Sequence, residues 1–388
     1  MTTPVYVLSA ARTPIGSFQG ELASLSAPEL GAHAIRHAVA ESGLGVDAIS
    51  EGIIGNVIGA GLGQAPARQA LRLSGLPDSC AASTLNKVCG SGMKATMLAH
   101  DLIAAGSAES VVCGGMESMT NAPYLLPKAR AGLRMGHAEM KDSMFLDGLE
   151  DAETGGAMGA FAQATSESYQ LTREAMDAYA VESVERARKA MDNGDLDAEI
   201  RPIEVKTRKD TVTVTQDEQP LRARIEKIPT LRPAFKADGT ITAANSSSIS
   251  DGASALVLSS RTDGATPLAR IAGHNTHSQH PSEFTTAPVG AIGGLLDKLG
   301  WTVGDVDLFE INEAFAMVTM LAISELELPA ERVNVYGGAC AQGHPIGSTG
   351  SRLIVTLAHA MAARNAKRGI ASLCIGGGEA TAIALVRE

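Results

Sequence analysis

A strand, a glycine-rich break, a helix and a second strand ending in glycines occur twice in this 388-residue sequence, and the recurrence constrains its fold more than any other feature. In the first copy an apolar approach from Leu85 reaches Cys89, Gly90-Ser91-Gly92 breaks it, Met93 to Ala105 reads as a buried helix, and Ser110 to Cys113 as a strand before Gly114-Gly115. In the second, Gly347-Ser348-Thr349-Gly350 reads as the turn, Ser351 to Ala363 as the helix, and Ala371 to Ile375 as a strand running into Gly376-Gly377-Gly378. Two related halves would set these glycine-rich ends about a pseudo-two-fold axis, so that one pocket draws on both. The competing reading is that glycine-rich βα turns recur in any α/β protein. Upstream, PVYVLSAAR, the amphipathic run Ala27 to Ala40 and EGIIGNVIGA from Glu51 alternate strand and helix signals, which predicts a layered α/β fold.

The length predicts two to three folded units. We place the first part of an N-terminal half at 1–118, an inserted loop domain at 119–250 with return strands near its end, and a C-terminal half at 251–388. The insertion holds Met-rich and polar stretches, a helix from Arg173 to Asn193, and the segments TVTVTQDEQP and ITAANSSSIS, a character that suits a lobe covering a ligand. Hydrophobic residues at 45% against 19% charged predict a fully globular chain. The net charge of −11 disfavours nucleic acid and anionic membrane surfaces. No stretch reaches 18 uninterrupted apolar residues, so no membrane span is expected. Met1 to Val7 carry no basic or Arg-rich leader, and five widely spaced cysteines read as reduced thiols; both predict a cytoplasmic protein.

Cys89 stands just before a predicted helix, whose unfilled N–H groups would favour thiolate and lower its pKa; the alternative is an inert buried thiol, as Cys113 reads. His344, between Gly343 and Pro345 before another helix, would be a rigid proton acceptor or a donor to an oxyanion. Cys374 closes the last strand beside Gly376, where bare backbone N–H groups can approach a ligand, and a thiol there could shuttle protons. Nucleophile, activator and backbone donors together match acyl transfer. Asn312, read alone, is a helix N-cap, or an amide that orients a water or substrate oxygen. Cys340 reads as packing. His274, His277 and His280 read as solvated loop residues without metal spacing, and no metal is expected. Arg222, Arg224, Lys227, Arg232 and Lys236 face one acid, Glu226, over a short stretch that would suit an anionic ligand or a solvated loop. No P-loop or dinucleotide fingerprint is present.

Taken together, NKVCGSGMKA, EINEAFA, GGACAQGHPIGSTG and CIGGGEATA resemble the thiolase family in order and spacing, and VLSAARTPIGSF, LRPAF and NSSSISDGA extend the resemblance over essentially the whole chain. It implies a thiolase-like duplicated five-layered α/β/α/β/α core with an inserted loop domain that binds CoA and makes oligomer contacts, in a homodimer or homotetramer. It implies Cys89 as nucleophile, His344 as its activator, Cys374 as acid/base and Asn312 as holder of an oxyanion-site water, with the N–H groups of Cys89 and Gly376 forming a second oxyanion site. Ser247, Leu149, Phe235, Ala314, Phe315 and Met158 match positions near CoA or the acyl chain, with Arg222 a looser match. The implied reaction is reversible condensation of two acetyl-CoA to acetoacetyl-CoA plus CoA through acyl-Cys89, or cleavage of longer 3-ketoacyl-CoAs in fatty-acid β-oxidation. Coenzyme A is then substrate and product, and no metal or redox cofactor is expected. Two departures stand out: Ala157 precedes Met158-Gly159 where many biosynthetic members carry His, and Glu379 follows the last glycines where Met, Gln or Gly is commoner. A decarboxylating condensing enzyme shares the fold but lacks a second cysteine like Cys374. A non-catalytic CoA-binding scaffold would not need all four matches.

Overall fold

The structure is a computed structural model that describes residues 3–388. One continuous sheet runs through both halves. Its first half holds β1 (Tyr6–Arg12), β2 (Glu51–Gly55), β3 (Ala81–Leu85), β4 (Ser110–Ser118) and β5 (Ser250–Ser259). Its second half holds β6 (Ala269–Ser278), β7 (Leu308–Ile311), β8 (Arg368–Ile375) and β9 (Glu379–Val386). From edge to edge the order is β7-β8-β9-β6-β1-β5-β4-β2-β3. Within the sheet, the two halves pair through Tyr6↔Arg270 and Val7↔Ala269.

Outward from that junction the two halves repeat. The sequence β1, β5, β4 is antiparallel at each step, then β2 and β3 add in parallel. On the other side β6, β9, β8 is antiparallel at each step, β7 adds in parallel, and a parallel bridge from Phe309 to Val333 marks the fifth position. The expected duplication is therefore present in strand order and direction.

Side chains alternate across each strand, which sorts the core into layers. Val111, Cys113, Leu256 and Leu258 from the first half, and Ala371, Leu373 and Ile383 from the second, face a shared interior. That interior is filled by α3 (Ser91–Ala104) and the last helix, Ile346–Ala363. On the outer faces, Val112, Ala255 and Val257 pack on α1 (Ala27–Glu41) and α2 (Pro66–Ser74). Ile370, Ala382 and Ala384 pack on the helix Ala287–Leu299. Helix, sheet, paired helices, sheet and helix make five layers.

The break expected at Gly347–Gly350 is not a turn, because the last helix already begins at Ile346. Its small residues serve close packing. A Cβ on Gly350 would lie 2.4 Å from the Met93 nitrogen, and one on Gly92 would lie 2.5 Å from Ser351 Oγ. No larger side chain fits between the two central helices.

Residues 119–250 carry α4 (Met158–Ser168), α5 (Arg173–Asn193) and two short hairpins before returning through β5. Buried Arg12 anchors this segment to β1: its Nε donates to Glu199 Oε1 at 2.6 Å, and its two terminal nitrogens donate to Asp217 at 2.7 and 2.9 Å. Between Tyr124 and Leu146 the segment exposes large apolar side chains, among them Tyr124, Leu133, Met135 and Met140. Among the described residues no helix is long and apolar enough to cross a membrane.

Candidate active site

Cys89 lies in the loop between β3 and α3, and that loop is strained: Val88, a β-branched residue, sits at φ +46°. Local bonds hold it there. The Lys87 N–H donates to Ser91 Oγ at 2.8 Å, the Val88 N–H to Asn86 Oδ1 at 2.9 Å, and the Ser91 hydroxyl to the Val88 carbonyl at 2.7 Å. Gly90 lets the loop rest on the other half, since a Cβ there would lie 2.3 Å from Ile375 Cδ1. The structure thereby sets Cys89 against the turn that follows β8, and the Gly376 N–H and the N–H of Cys89 itself reach the Cys89 sulfur.

The predicted lowering of the Cys89 pKa is overturned. Burial is the largest influence and pushes the thiol up to about 11, outweighing those two N–H donors, while the nearby Glu117 raises it further. Cys374, one residue before the end of β8, is buried, and its thiol is held well above the usual range by burial and then by its proximity to Cys89. Both sulfurs rest as neutral thiols at neutral pH.

His344 is held by two bonds that fix its tautomer. The Thr349 hydroxyl donates its proton to the Pro345 carbonyl at 2.9 Å, so its oxygen accepts from His344 Nδ1–H at 2.6 Å. Nε2 is left with a lone pair, faced at 3.4 Å by the Asn312 amide nitrogen. Burial, followed by the charge of Arg352, lowers the imidazole pKa to about 3, so it too is neutral at rest.

Asn312 is not the helix cap that its residue type suggested. It extends β7, donating its N–H to the Ser372 carbonyl at 3.0 Å, and the next helix, Ala316–Glu325, starts four residues later with Phe315 at its N-cap. Its Oδ1 is buried with no protein partner. With Nδ2 toward His344, that oxygen remains an acceptor.

Around these groups lie two apolar clusters. Leu149 and Cys89 pack together on Val57, Ile58, Met119, Met144 and Ile346. Ala314, Phe315, Cys374 and Met158 form the second. Met158 reaches over the glycine turn, its sulfur 3.3 Å from where a Gly376 Cβ would stand. Phe235 is 41% exposed and meets Phe315 edge-on, with ring centroids 6.4 Å apart. The Ser247 N–H and hydroxyl both donate to the Ala314 carbonyl, at 2.9 and 3.0 Å, which leaves the Ser247 oxygen free to accept. Arg222 joins neither cluster: it is exposed and paired with Glu218 at 2.6 Å. Lys236 is likewise paired, with Glu167 at 2.7 Å.

Two groups were missed by the sequence reading. Thr349, which sets the His344 tautomer, was hidden inside a presumed turn. Glu117 was hidden in a strand. It is buried, and it accepts from Asn56 Nδ2 at 2.8 Å, the Val57 and Ile58 N–H groups at 3.0 and 3.2 Å, and the Gly347 N–H at 2.9 Å. It thus ties the Cys89 half to the start of the His344 helix, and burial raises its pKa to about 7 against the pull of those N–H groups. An acid inside the otherwise uncharged run SVVCGGM-E-S was the available signal. The histidine trio also differs from expectation: His274 and His277 lie on β6, and His280 caps the turn Pro281–Thr286. His274 and His100 both contact Asp101 Oδ1, at 2.9 and 3.0 Å.

Two family models match the chain: thiolase, N-terminal domain, over residues 5–262, and thiolase, C-terminal domain, over residues 265–387. An acetyl-CoA acetyltransferase of Pseudomonas aeruginosa is 47% identical over 99% of each chain, and one of Schizosaccharomyces pombe is 45% identical over 100% of each. A probable acetyl-CoA acyltransferase of Staphylococcus aureus is 45% identical over 98% of each. The crystal structure of the Acat5 thiolase from Ascaris suum in complex with coenzyme A superposes with a TM-score of 0.94 at 43% identity, covering 99% of this chain and 100% of that one.

Proposed function

The chain belongs to the thiolase family, and we propose that it is an acetyl-CoA acetyltransferase, joining two acetyl-CoA into acetoacetyl-CoA and CoA by a reversible Claisen condensation. The observation that carries this reading is the seating of the Cys89 loop, through Gly90 on Ile375, against the strand end that holds Cys374, together with a His344 whose Nε2 faces Asn312.

In the loading step Cys89 sulfur attacks the thioester carbon of acetyl-CoA. With the thiol near 11 and the imidazole near 3, a resting ion pair is disfavoured, so the proton passes to His344 Nε2 as the C–S bond forms. The N–H groups of Cys89 and Gly376 hold the oxyanion. As CoA leaves it takes the proton of the Cys374 thiol, which leaves that sulfur as thiolate while His344 keeps the proton from Cys89. Cys374 then removes a proton from the methyl group of a second acetyl-CoA. A charge on Cys89 would oppose ionisation of Cys374, and the acylated sulfur cannot carry one. The enolate oxygen is stabilised by His344 and by a water that donates to Asn312 Oδ1. The enolate carbon attacks the acetyl carbonyl, and Cys89 departs with the proton held by His344, while Cys374 keeps the one it took from the methyl group. Met158, Phe235, Ala314 and Phe315 line the acyl side, Leu149 and Ser247 the CoA side, and exposed Arg222 the phosphate end.

Mixing with acetyl-CoA should add one acetyl group by intact mass. No adduct, or an undiminished adduct on Cys89→Ala, would sink the scheme. Cys374→Ala should load acetyl yet fail to condense. Because a Staphylococcus aureus relative is named an acyltransferase, the second reading is a broader-chain 3-ketoacyl-CoA thiolase, and cleavage rates for C4 against longer substrates separate the two.

The exposed apolar side chains between Tyr124 and Leu146 support a further assignment: this part of the 119–250 lobe makes the contacts of a homodimer or homotetramer. We place the enzyme in the cytoplasm and in lipid metabolism, with acyl-CoA and CoA as its only small-molecule partners and neither nucleic acid nor membrane among its targets.

A further inference from the structure

The acid at Glu379, unusual for the family, has a definite partner. Lys87, two residues before Cys89, places Nζ 2.6 Å from Glu379 Oε2, and Ser278 Oγ donates to Glu379 Oε1 at 3.1 Å. The side chains are 18% and 30% exposed, so the pair is shielded without being sealed from water. It joins the two halves of the molecule at a particular place. On one side is the strained loop with Val88 at φ +46°; on the other is the turn with Gly377 at φ +94° and Gly378 at φ +87°. These two segments supply the N–H groups of Cys89 and Gly376 that meet at the sulfur. The same two segments also touch through Gly90 on Ile375 and through Val88 near Gly376, contacts that carry no charge.

We propose that Lys87 and Glu379 are positioning residues, an electrostatic clamp that fixes the spacing of the two oxyanion N–H donors. The proposal rests on the thiolase reading of the site. Neither side chain touches the reacting atoms. Loosening the clamp therefore spoils the alignment of donors to the developing oxyanion while leaving CoA binding as it was.

The test is Glu379→Gln, which keeps size and removes charge, assayed by cleavage of acetoacetyl-CoA with CoA. We expect kcat to fall about threefold to fivefold, the scale of a partly exposed ion pair, with KM for both substrates and the melting temperature unchanged. Wild-type kcat should decline as NaCl is raised, and that of Glu379→Gln should not. Lys87→Glu and Glu379→Lys should each lose more, about tenfold, and the exchanged pair Lys87→Glu/Glu379→Lys should recover most of the loss. A Glu379→Gln enzyme with wild-type kcat at every salt concentration overturns the clamp, as does an exchanged pair that folds but is no better than the single reversals. Failure of the wild type to turn over or to acetylate Cys89 would instead overturn the functional reading.

Discussion

The seam between the halves and the lobe that covers it are built by opposite means. At the seam, chemistry is positioned by leaving side chains out: Gly90, Gly92, Gly115, Gly347 and Gly350 each stand where a Cβ would strike a neighbour at under 3 Å. In the lobe, residues 222–236 are held from outside by hydrogen bonds, Arg173 donating to the Ile228 and Leu231 carbonyls at 3.0 Å each, while Arg222, Arg224, Lys227, Arg232 and Lys236 are all exposed. The difference teaches that the reacting groups are held to a tolerance set by backbone contact, whereas the lobe can exchange side chains without moving the chemistry.

The sharpest way to break this comparison is Gly115→Ala. Its Cβ would lie 2.0 Å from the Gly347 carbonyl oxygen, backbone against backbone. We expect a loss of about 3 kcal/mol in denaturant unfolding, and a variant of wild-type stability would show that the seam can yield. Next in size is Glu117. Its folded pKa of about 7 lies above the ordinary 4.5, so the unfolded chain ionises first. Stability contributed by this group is intact below pH 4.5, falls as pH rises, and levels off above 7, for a change on the order of 3 kcal/mol. Unfolding of Glu117→Gln across that window should lack this component of the slope. Thr349→Val removes the acceptor for His344 Nδ1–H and should cost about tenfold in kcat, with KM little changed. Arg222→Ala is the smallest: we expect KM for CoA to rise by less than about threefold and kcat to stay constant, the value of an exposed charge.

Much of the fold was readable because periodicity and chain breaks are local properties. The helix Arg173–Asn193 was placed as found, capped by the Thr172 hydroxyl and stopped by Gly194 in the left-handed region. The start of the last helix was misplaced because Gly347-Ser348-Thr349-Gly350 has the composition of a turn, and only the crossing with α3 explains small residues within a helix. Asn312, read alone, left a cap and a water-orienting amide both open for a related reason: residue type is visible in the sequence, but the strand bond to Ser372 is not. The pKa of Cys89 ran opposite to expectation because a helix terminus can be read from sequence, while burial against Ile375 and Gly376 depends on the other half of the chain. Thr349 and Glu117 act through partners that are, respectively, near in sequence but inside a misread element, and 230 residues away at Gly347. Such long-range pairings leave little local trace.

The shared middle layer of α3 and the last helix bears on the order of events during synthesis. Cys89 leaves the ribosome with α3 close behind it, yet the last helix, which completes the layer that shelters it, and the Gly376 turn that meets its sulfur lie more than 250 residues further along the chain. Until they arrive, the thiol has neither its enclosure nor its second N–H donor. A truncated chain is thus an idle enzyme with an unprotected sulfur, and only completion of the last two strands turns that sulfur from a liability to oxidants into a carrier of acyl groups.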